Sequence, residues 1–408
     1  MNERPDVPRV GLEEVRAARV LLDGVVRRTP MEQCRVLEAE VGAPVYFKCE
    51  NLQRTGSFKL RGAYVRISRL TAEQRSYGVV AASAGNHAQG VALAARMLGA
   101  ASTVFMPSGA PLPKVAATAS YGAEVHLVGE TIRDALDAAV EHATSTGAVF
   151  IHPFDHPDII AGQGSVGLEI LEQCPDVRTV LVCTGGGGLV AGIGAAIKGV
   201  DPTIRVVGVQ AAGAAAFPPS LAAGRPLRLA TMSTMADGIA VPQPGNVTFD
   251  LVRDLVDEIV TVSEEALSRA LLLCLERAKL VVEPAGAAGV AALMEEPQRY
   301  AGPVVAVLSG GNIDPLLLLR VMQHGLVAAG RYLSLRLRVP DRPGSLASIL
   351  DLVAELGANV LDVEHSRTGG QLHLGEVLVA LSLETRGQEH SERVVGQLYD
   401  AGFVAMMP

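Results

Sequence analysis

From Gly78 onward, short apolar runs alternate with longer stretches in which small apolar residues recur at helical spacing. Val79 and Val80 lead into a glycine turn, and a small-residue helix follows to Leu98, closed by Gly99. Residues 103–105 read as a strand, 114–121 as a helix ending at Gly122, 125–128 as a strand, 132–143 as a helix and 149–151 as a strand. Such alternation predicts a parallel sheet with right-handed crossovers. A second series begins at Gly164, with a helix to Leu171, a strand over 180–183, a four-glycine turn, a helix over 189–197 and a strand over 206–209. Residues 211–235, rich in Ala, Pro, Met and Gly, read as irregular. Helices are expected near 263–275 and 285–293, then a strand over 304–308. The fold class is therefore α/β with two layers, the first 54 residues belonging with the second series.

The C-terminal part differs. Leu333, Leu335, Leu337 and Val339 alternate with polar residues, the period of a half-buried strand. The turn Asp341-Arg342-Pro343-Gly344 leads to Ser345, read as a helix N-cap, and Leu346, Ile349, Leu350 and Val353 form an apolar stripe that Gly357 ends. Residues 360–363 and 377–383 supply two more strands, Val394, Val395 and Leu398 mark a helix, and a short strand closes near Phe403. This order predicts a small antiparallel α+β domain behind a linker near 328–331.

With 408 residues, 49% of them hydrophobic, the chain exceeds one core and predicts two or three domains. The formal net charge of -8 argues against nucleic acid or an anionic membrane as the main partner. Five scattered cysteines without a Cys-x-x-Cys pair argue against a disulfide framework or a metal site and for a reducing cytosol. The opening Met-Asn-Glu-Arg-Pro-Asp lacks the apolar core of a signal peptide, and the longest apolar runs are too short to span a membrane. A cytoplasmic globular protein is expected.

Four motifs carry candidate chemistry. Lys59 in Ser57-Phe58-Lys59-Leu60-Arg61-Gly62 opens a helix, where dipole and desolvation lower an amine's pKa and suit it to bond an aldehyde; alone, such a lysine is more often a surface residue. Gly185, Gly186, Gly187 and Gly188 sit between a buried strand and a helix, either as an anion cradle or as a tight turn. In Ser83-Ala84-Gly85-Asn86-His87, backbone amides suit a carboxylate and Asn86 suits a phenolic oxygen, although Asn86 also fits a helix cap and His87 a helix start. Ser309-Gly310-Gly311-Asn312 alone is an ordinary turn. The last three lie at the C-terminal ends of predicted parallel strands, where open α/β folds bind ligands. Together they meet the needs of pyridoxal phosphate carrying an amino acid.

With these motifs, and with Ala161-Gly162-Gln163-Gly164, Ala236-Asp237-Gly238-Ile239-Ala240-Val241 and Glu283-Pro284-Ala285-Gly286, the chain resembles the fold-type II pyridoxal-phosphate family, most closely its threonine dehydratases. The tail from Arg331 resembles an ACT domain, with its ferredoxin-like fold. The resemblance implies a large cofactor domain from residues 1–54 and 149–328, a small mobile domain over 55–148 and a regulatory domain over 331–408. It implies Lys59 as the Schiff-base lysine, Asn86 at the cofactor's phenolic oxygen, and Gly185, Gly186, Gly187 and Gly188 at its phosphate. Ser309 would face the pyridine nitrogen, and Phe58 and Gly238 the ring faces. Ser83, Ala84, Gly85, Asn86 and His87 would take the substrate carboxylate, and Phe154 the substrate methyl. The implied reaction is β-elimination of water from threonine, more slowly from serine, giving 2-oxobutanoate and ammonia.

Ala84 stands where serine racemases carry a serine, which favours dehydration over racemisation. Gln210 and Ala216 stand where racemases carry carboxylate metal ligands, so no metal is expected. The ACT-like tail implies an amino-acid effector, isoleucine or valine, near Asp341, Gly344, Ser345, Leu346 and Asn359, and a homo-oligomer, dimer or tetramer. The competing readings are a serine dehydratase or racemase, and a catalytically dead amino-acid sensor.

Overall fold

A computed structural model describes residues 10–367 and 372–406; the opening residues read above for a leader lie outside them. The chain divides after Pro315 into two compact units.

The first unit holds two sheets. One runs in the order Met31–Gln33, Val45–Lys48, Val304–Val307, Thr179–Cys183, Arg205–Ala211, Glu258–Val262. Its strands are parallel except the first, which returns antiparallel along Val45–Lys48. Met31–Gln33 and Val45–Lys48, from the N-terminal chain, lie in the same sheet as the strands of the second series. The other sheet is parallel throughout, in the order Glu124–Leu127, Ser102–Met106, Val79–Ala82, Val149–Phe150. Strands Val79–Ala82 and Thr179–Cys183 are buried at every position. They are covered on both faces, hence their unbroken apolar runs.

The helix expected from Gly164 begins instead at Pro157 and runs to Gln173. Its glycines are contact points rather than breaks: a Cβ on Gly162 would lie 2.6 Å from the Cα of Gly62. The helix expected over 285–293 opens with a 3-10 turn, Pro284–Ala287, before Ala288–Glu295. Within 211–235 a short helix forms at Phe217–Ala222. Helices Leu12–Leu22, Arg35–Val41 and Asn246–Leu255 went unread in the pattern.

A buried charge network anchors the helix Lys59–Ser68. Arg61 donates from Nε and Nη2 to Glu50, both at 2.8 Å, and from Nη1 to Glu169 at 2.6 Å. Lys48 donates to the other oxygen of Glu169 at 2.6 Å and to the Thr29 carbonyl at 2.8 Å. Two cations and two carboxylates are thereby paired out of water.

In the second unit, helix Pro315–Ala328 precedes an antiparallel sheet ordered Asn359–Ser366, Glu376–Glu384, Tyr332–Pro340, Val404–Met406. Helices Ser345–Glu355 and Gln388–Asp400 connect these strands, giving the βαββαβ order expected. Leu333, Leu335, Leu337 and Val339 all face the core. The cap differs from expectation: Gly344, at φ 94°, takes that position and Ser345 is the first helical residue. A left-handed backbone there suits glycine.

Candidate active site

Three strand ends and one helix start converge on a cavity of about 700 Å³. It is lined by Phe58, Lys59, Ser83, Ala84, Gly85, Asn86, His87, Phe154, Gly185, Gly186, Gly187, Gly188, Gly238 and Ser309. Residues up to 251 positions apart in sequence, 58 and 309, therefore share one chamber. By contrast, one chain does not bring the expected effector residues together. Asn359 pairs opposite Glu384 and Pro340, next to Asp341, opposite Glu376. Eight strand positions separate those ends, about 26 Å. The Asp341 turn is exposed, with Asp341 paired to Arg367 at 3.0 Å, and Asn359 reaches Glu384 at 3.4 Å.

Lys59 is the first residue of its helix, and the segment before it is clamped to the opposite loop. Ser57 bridges Gly310, and the Phe58 amide donates to the Ser309 carbonyl at 3.1 Å. The Lys59 amine donates to the Pro153 carbonyl at 3.2 Å and has no carboxylate partner among the described residues. Burial lowers its pKa to about 8, against a partial opposing pull from Cys183 and Glu283. An amine so placed is readily uncharged.

The tetraglycine turn leaves strand Thr179–Cys183 and opens helix Gly188–Val200. Its carbonyl side is fastened: Gln210 donates to the Thr184 carbonyl at 3.1 Å, and Thr248 to the Gly186 carbonyl at 2.6 Å. The amides of Gly185, Gly186 and Gly187 meet no backbone acceptor among the described residues. Side chains have no room here: a Cβ on Gly186 would lie 2.4 Å from the Phe154 ring, and Gly187 is held at φ 100° beside Phe217. Free amides at a helix N-terminus make an anion site. Gln210 donates to one backbone group and accepts from another, the Phe217 amide at 2.9 Å, so its side chain is a strut of this turn.

Asn86 is the first residue of its helix rather than the cap, which is Gly85. Its amide nitrogen donates to Glu283 at 2.6 Å, and its oxygen accepts from Asn312 at 2.8 Å. His87 is buried, its Nε2 at 2.8 Å from the Ile151 carbonyl, and burial, with Lys59 nearby, pushes its pKa down to about 3. It is a neutral strut, not a base. His152, lowered to about 4 by burial, accepts from the Asp155 amide at 2.8 Å and packs edge-on against Phe154.

Three lining groups were not singled out by sequence. Glu283 is buried, and desolvation, reinforced by Asp237, raises its pKa to about 7. Its signal was present only as part of the Glu-Pro-Ala-Gly motif. Cys183 lies beside Ser309, its thiol pushed up to about 11 by burial. Lys114 pairs with Asp237 at 2.8 Å where the two helical segments border the cavity.

A free buried amine, a fastened glycine turn with open amides and a neutral serine in one chamber fit pyridoxal phosphate. Comparison with known proteins agrees. Residues 22–310 match the family described as pyridoxal-phosphate dependent enzyme, and residues 333–398 match the ACT domain. The chain is 47% identical to the L-threonine ammonia-lyase of Thermotoga maritima, over 97% of this chain and 98% of that one. It is 48% identical to the L-threonine ammonia-lyase of Geobacter sulfurreducens, over 93% and 94%. Among solved structures, a threonine deaminase from T.th. aligns with a TM-score of 0.71 at 43% identity, covering 74% of this chain and 99% of that one. Maize serine racemase aligns with a TM-score of 0.74 at 37% identity, covering 78% and 99%.

Proposed function

This chain belongs to the pyridoxal-phosphate dependent enzyme family, and from that premise we propose that it is an L-threonine ammonia-lyase under amino-acid control. Near-full-length likeness to two L-threonine ammonia-lyases supports the reaction. The observation that carries it in the site is the buried Lys59 amine, without a carboxylate partner among the described residues, sharing one cavity with the open amides of the tetraglycine turn.

Lys59 would hold the cofactor at its aldehyde, Gly185, Gly186, Gly187 and Gly188 would hold its phosphate, and Asn86 would lie toward its phenolic oxygen. Phe58 and Gly238 would border the ring, and Ser309 would lie toward the ring nitrogen. Pyridoxal phosphate, when bound, supplies an electron sink for the bond broken at Cα. In the loop from Ser83 through Ala84, Gly85 and Asn86 to His87, the Ser83 amide donates to the Phe105 carbonyl at 3.1 Å and the Gly85 amide to the Ser83 hydroxyl at 3.2 Å, so the threonine carboxylate would be met by the Ala84, Asn86 and His87 amides beside that hydroxyl. Phe154 supplies an apolar wall for the methyl group. The Lys59 amine, with its pKa lowered by burial to about 8, would be able to hold the proton taken from the substrate Cα near neutrality. The β-hydroxyl leaves with a proton as water, and hydrolysis of the released enamine by a second water gives 2-oxobutanoate and ammonia.

A racemase reading draws on the structural likeness to maize serine racemase. It requires an acid/base on each face of the substrate, and Ala84 offers none. Keto acid released from L-threonine and L-serine tests the choice; D-serine exceeding pyruvate overturns dehydration. A dead sensor would release no keto acid.

The ACT domain is the effector module, and isoleucine or valine is the proposed effector. The Asp341 turn and Asn359 lie at opposite ends of one sheet, which supports a site completed between copies of a dimer or tetramer. Threonine saturation measured with and without isoleucine tests this, and curves that coincide refute it. A cytoplasmic location accords with five buried, unpaired cysteines. No helix among the described residues is long and apolar enough to cross a membrane.

A further inference from the structure

Asn86 is expected to meet the cofactor's phenolic oxygen, yet its amide is not free to turn. The Asn86 oxygen accepts from Asn312 at 2.8 Å, and Asn312 itself is anchored to the Thr55 carbonyl at 2.7 Å. One Asn86 N–H points at Glu283 Oε1, 2.6 Å away, which leaves the second N–H for a ligand. The fold makes room for this pair. A Cβ on Gly310 would lie 2.4 Å from the same Glu283 oxygen and 3.0 Å from the Asn86 nitrogen. On the other side a Cβ on Gly238 would come within 3.5 Å of that oxygen. The Glu283 amide is tied to the Gly310 carbonyl at 3.0 Å. A carboxyl is thus built into the cavity wall, hydrogen-bonded to the residue that faces the cofactor.

Resting on the cofactor assignment above, we propose that Glu283 is a positioning residue for Asn86, and that its gain or loss of a proton tunes the visible absorbance of the bound cofactor. The Glu283 oxygen holds one Asn86 N–H and so orients the other toward the phenolic oxygen, and an ionised carboxylate adds a negative charge beside the ring. The protonated form keeps an oxygen for Asn86 but loses that charge. The charged and titratable groups facing it are Asp237, Lys114, Lys59 and Cys183. Burial and Asp237 favour the proton, whereas Lys114, Asn86 and Lys59 oppose it, which places the change close to neutrality, at about 7.

The test is a pH titration of holoenzyme absorbance from about pH 6 to about pH 9, in wild type, E283Q and E283D, with borohydride trapping of cofactor on Lys59 in each. Wild type is expected to show a spectral transition within this range, since burial and Asp237 hold the Glu283 carboxyl above its ordinary value. E283Q, which keeps an oxygen for Asn86 but cannot titrate, is expected to trap cofactor and lose the transition. Its kcat should lose the corresponding pH inflection, with KM for threonine changed less than about threefold. E283D is expected to keep a transition at a displaced midpoint, and it decides the matter if E283Q fails to fold. An identical transition in E283Q, or an undisplaced one in E283D, overturns the Glu283 role alone. Wild-type protein that traps no cofactor on Lys59 overturns the cofactor assignment and this inference with it.

Discussion

Replacing Arg61 by Met tests whether the buried charge network fixes the helix that carries Lys59. The substitution keeps an unbranched side chain but loses five hydrogen bonds from the guanidinium, two to Glu50 at 2.8 Å, one to Glu169 at 2.6 Å, one to the Ser165 hydroxyl at 3.1 Å and one to the Arg27 carbonyl at 3.4 Å. Glu169 retains Lys48, but Glu50, fully buried, keeps only the Thr29 hydroxyl at 2.5 Å. Removing one partner of a buried pair costs about 3–5 kcal/mol, a large part of the roughly 5–15 kcal/mol that holds a typical domain. In wild type, burial alone would raise the Glu50 pKa, but Arg61 overrides it and the carboxyl stays below its ordinary value. Glu50 therefore contributes stability above its unfolded pKa, lost as pH falls through the folded one. In R61M the sign reverses: the stranded carboxylate is costly at neutral pH and is relieved by protonation as pH falls. Urea unfolding of R61M and of R61M/E50Q at about pH 7 and about pH 5 measures this. The single variant should lose about 3–5 kcal/mol at neutral pH and less in acid, and E50Q in the same chain should restore part of the loss. A loss below about 1 kcal/mol, or one independent of pH, would refute the network as the anchor of the Lys59 helix.

Gly187→Ala forces a side chain onto a left-handed backbone at φ 100° and within 2.8 Å of Phe217. The conformational term alone is about 1–2 kcal/mol, so cofactor affinity by equilibrium dialysis should fall roughly 5- to 30-fold, and unchanged affinity would count against the phosphate assignment. Lys114→Ala removes a cation that favours ionised Glu283, and Asp237→Asn removes an anion that opposes it. The spectral midpoint should therefore rise in the first and fall in the second; movement in the same direction would contradict the electrostatics. Ala84→Ser puts a hydroxyl on the cavity wall, and chiral chromatography of serine should then detect D-serine where wild type gives almost none.

Much of the catalytic unit is legible along the chain because its strands are short apolar runs ended by glycine, as at Val79–Ala82 and Thr179–Cys183. The motifs at strand ends could be pooled because parallel sheets present those ends together. What escaped depends on distant partners. Gly162 and Gly164 look like helix breakers until the close approach of Gly62 and Gly192 is known. Arg61 is visible in the sequence only as a member of the Ser57–Gly62 motif, and nothing local announces Glu50 and Glu169. Glu283 stands out only as part of the Glu-Pro-Ala-Gly motif; its hydrogen bond to Asn86 spans 197 positions. Asp341 and Asn359, grouped by resemblance, prove to sit at opposite sheet ends because the helix Ser345–Glu355 carries the chain from one to the other.

The account stands on the amine of Lys59. Holoenzyme reduced with borohydride, digested and examined by mass spectrometry should carry about one pyridoxyl group per chain, on the peptide containing Lys59. A pyridoxyl group on another lysine, or none on a chain that still releases 2-oxobutanoate from threonine, would contradict it.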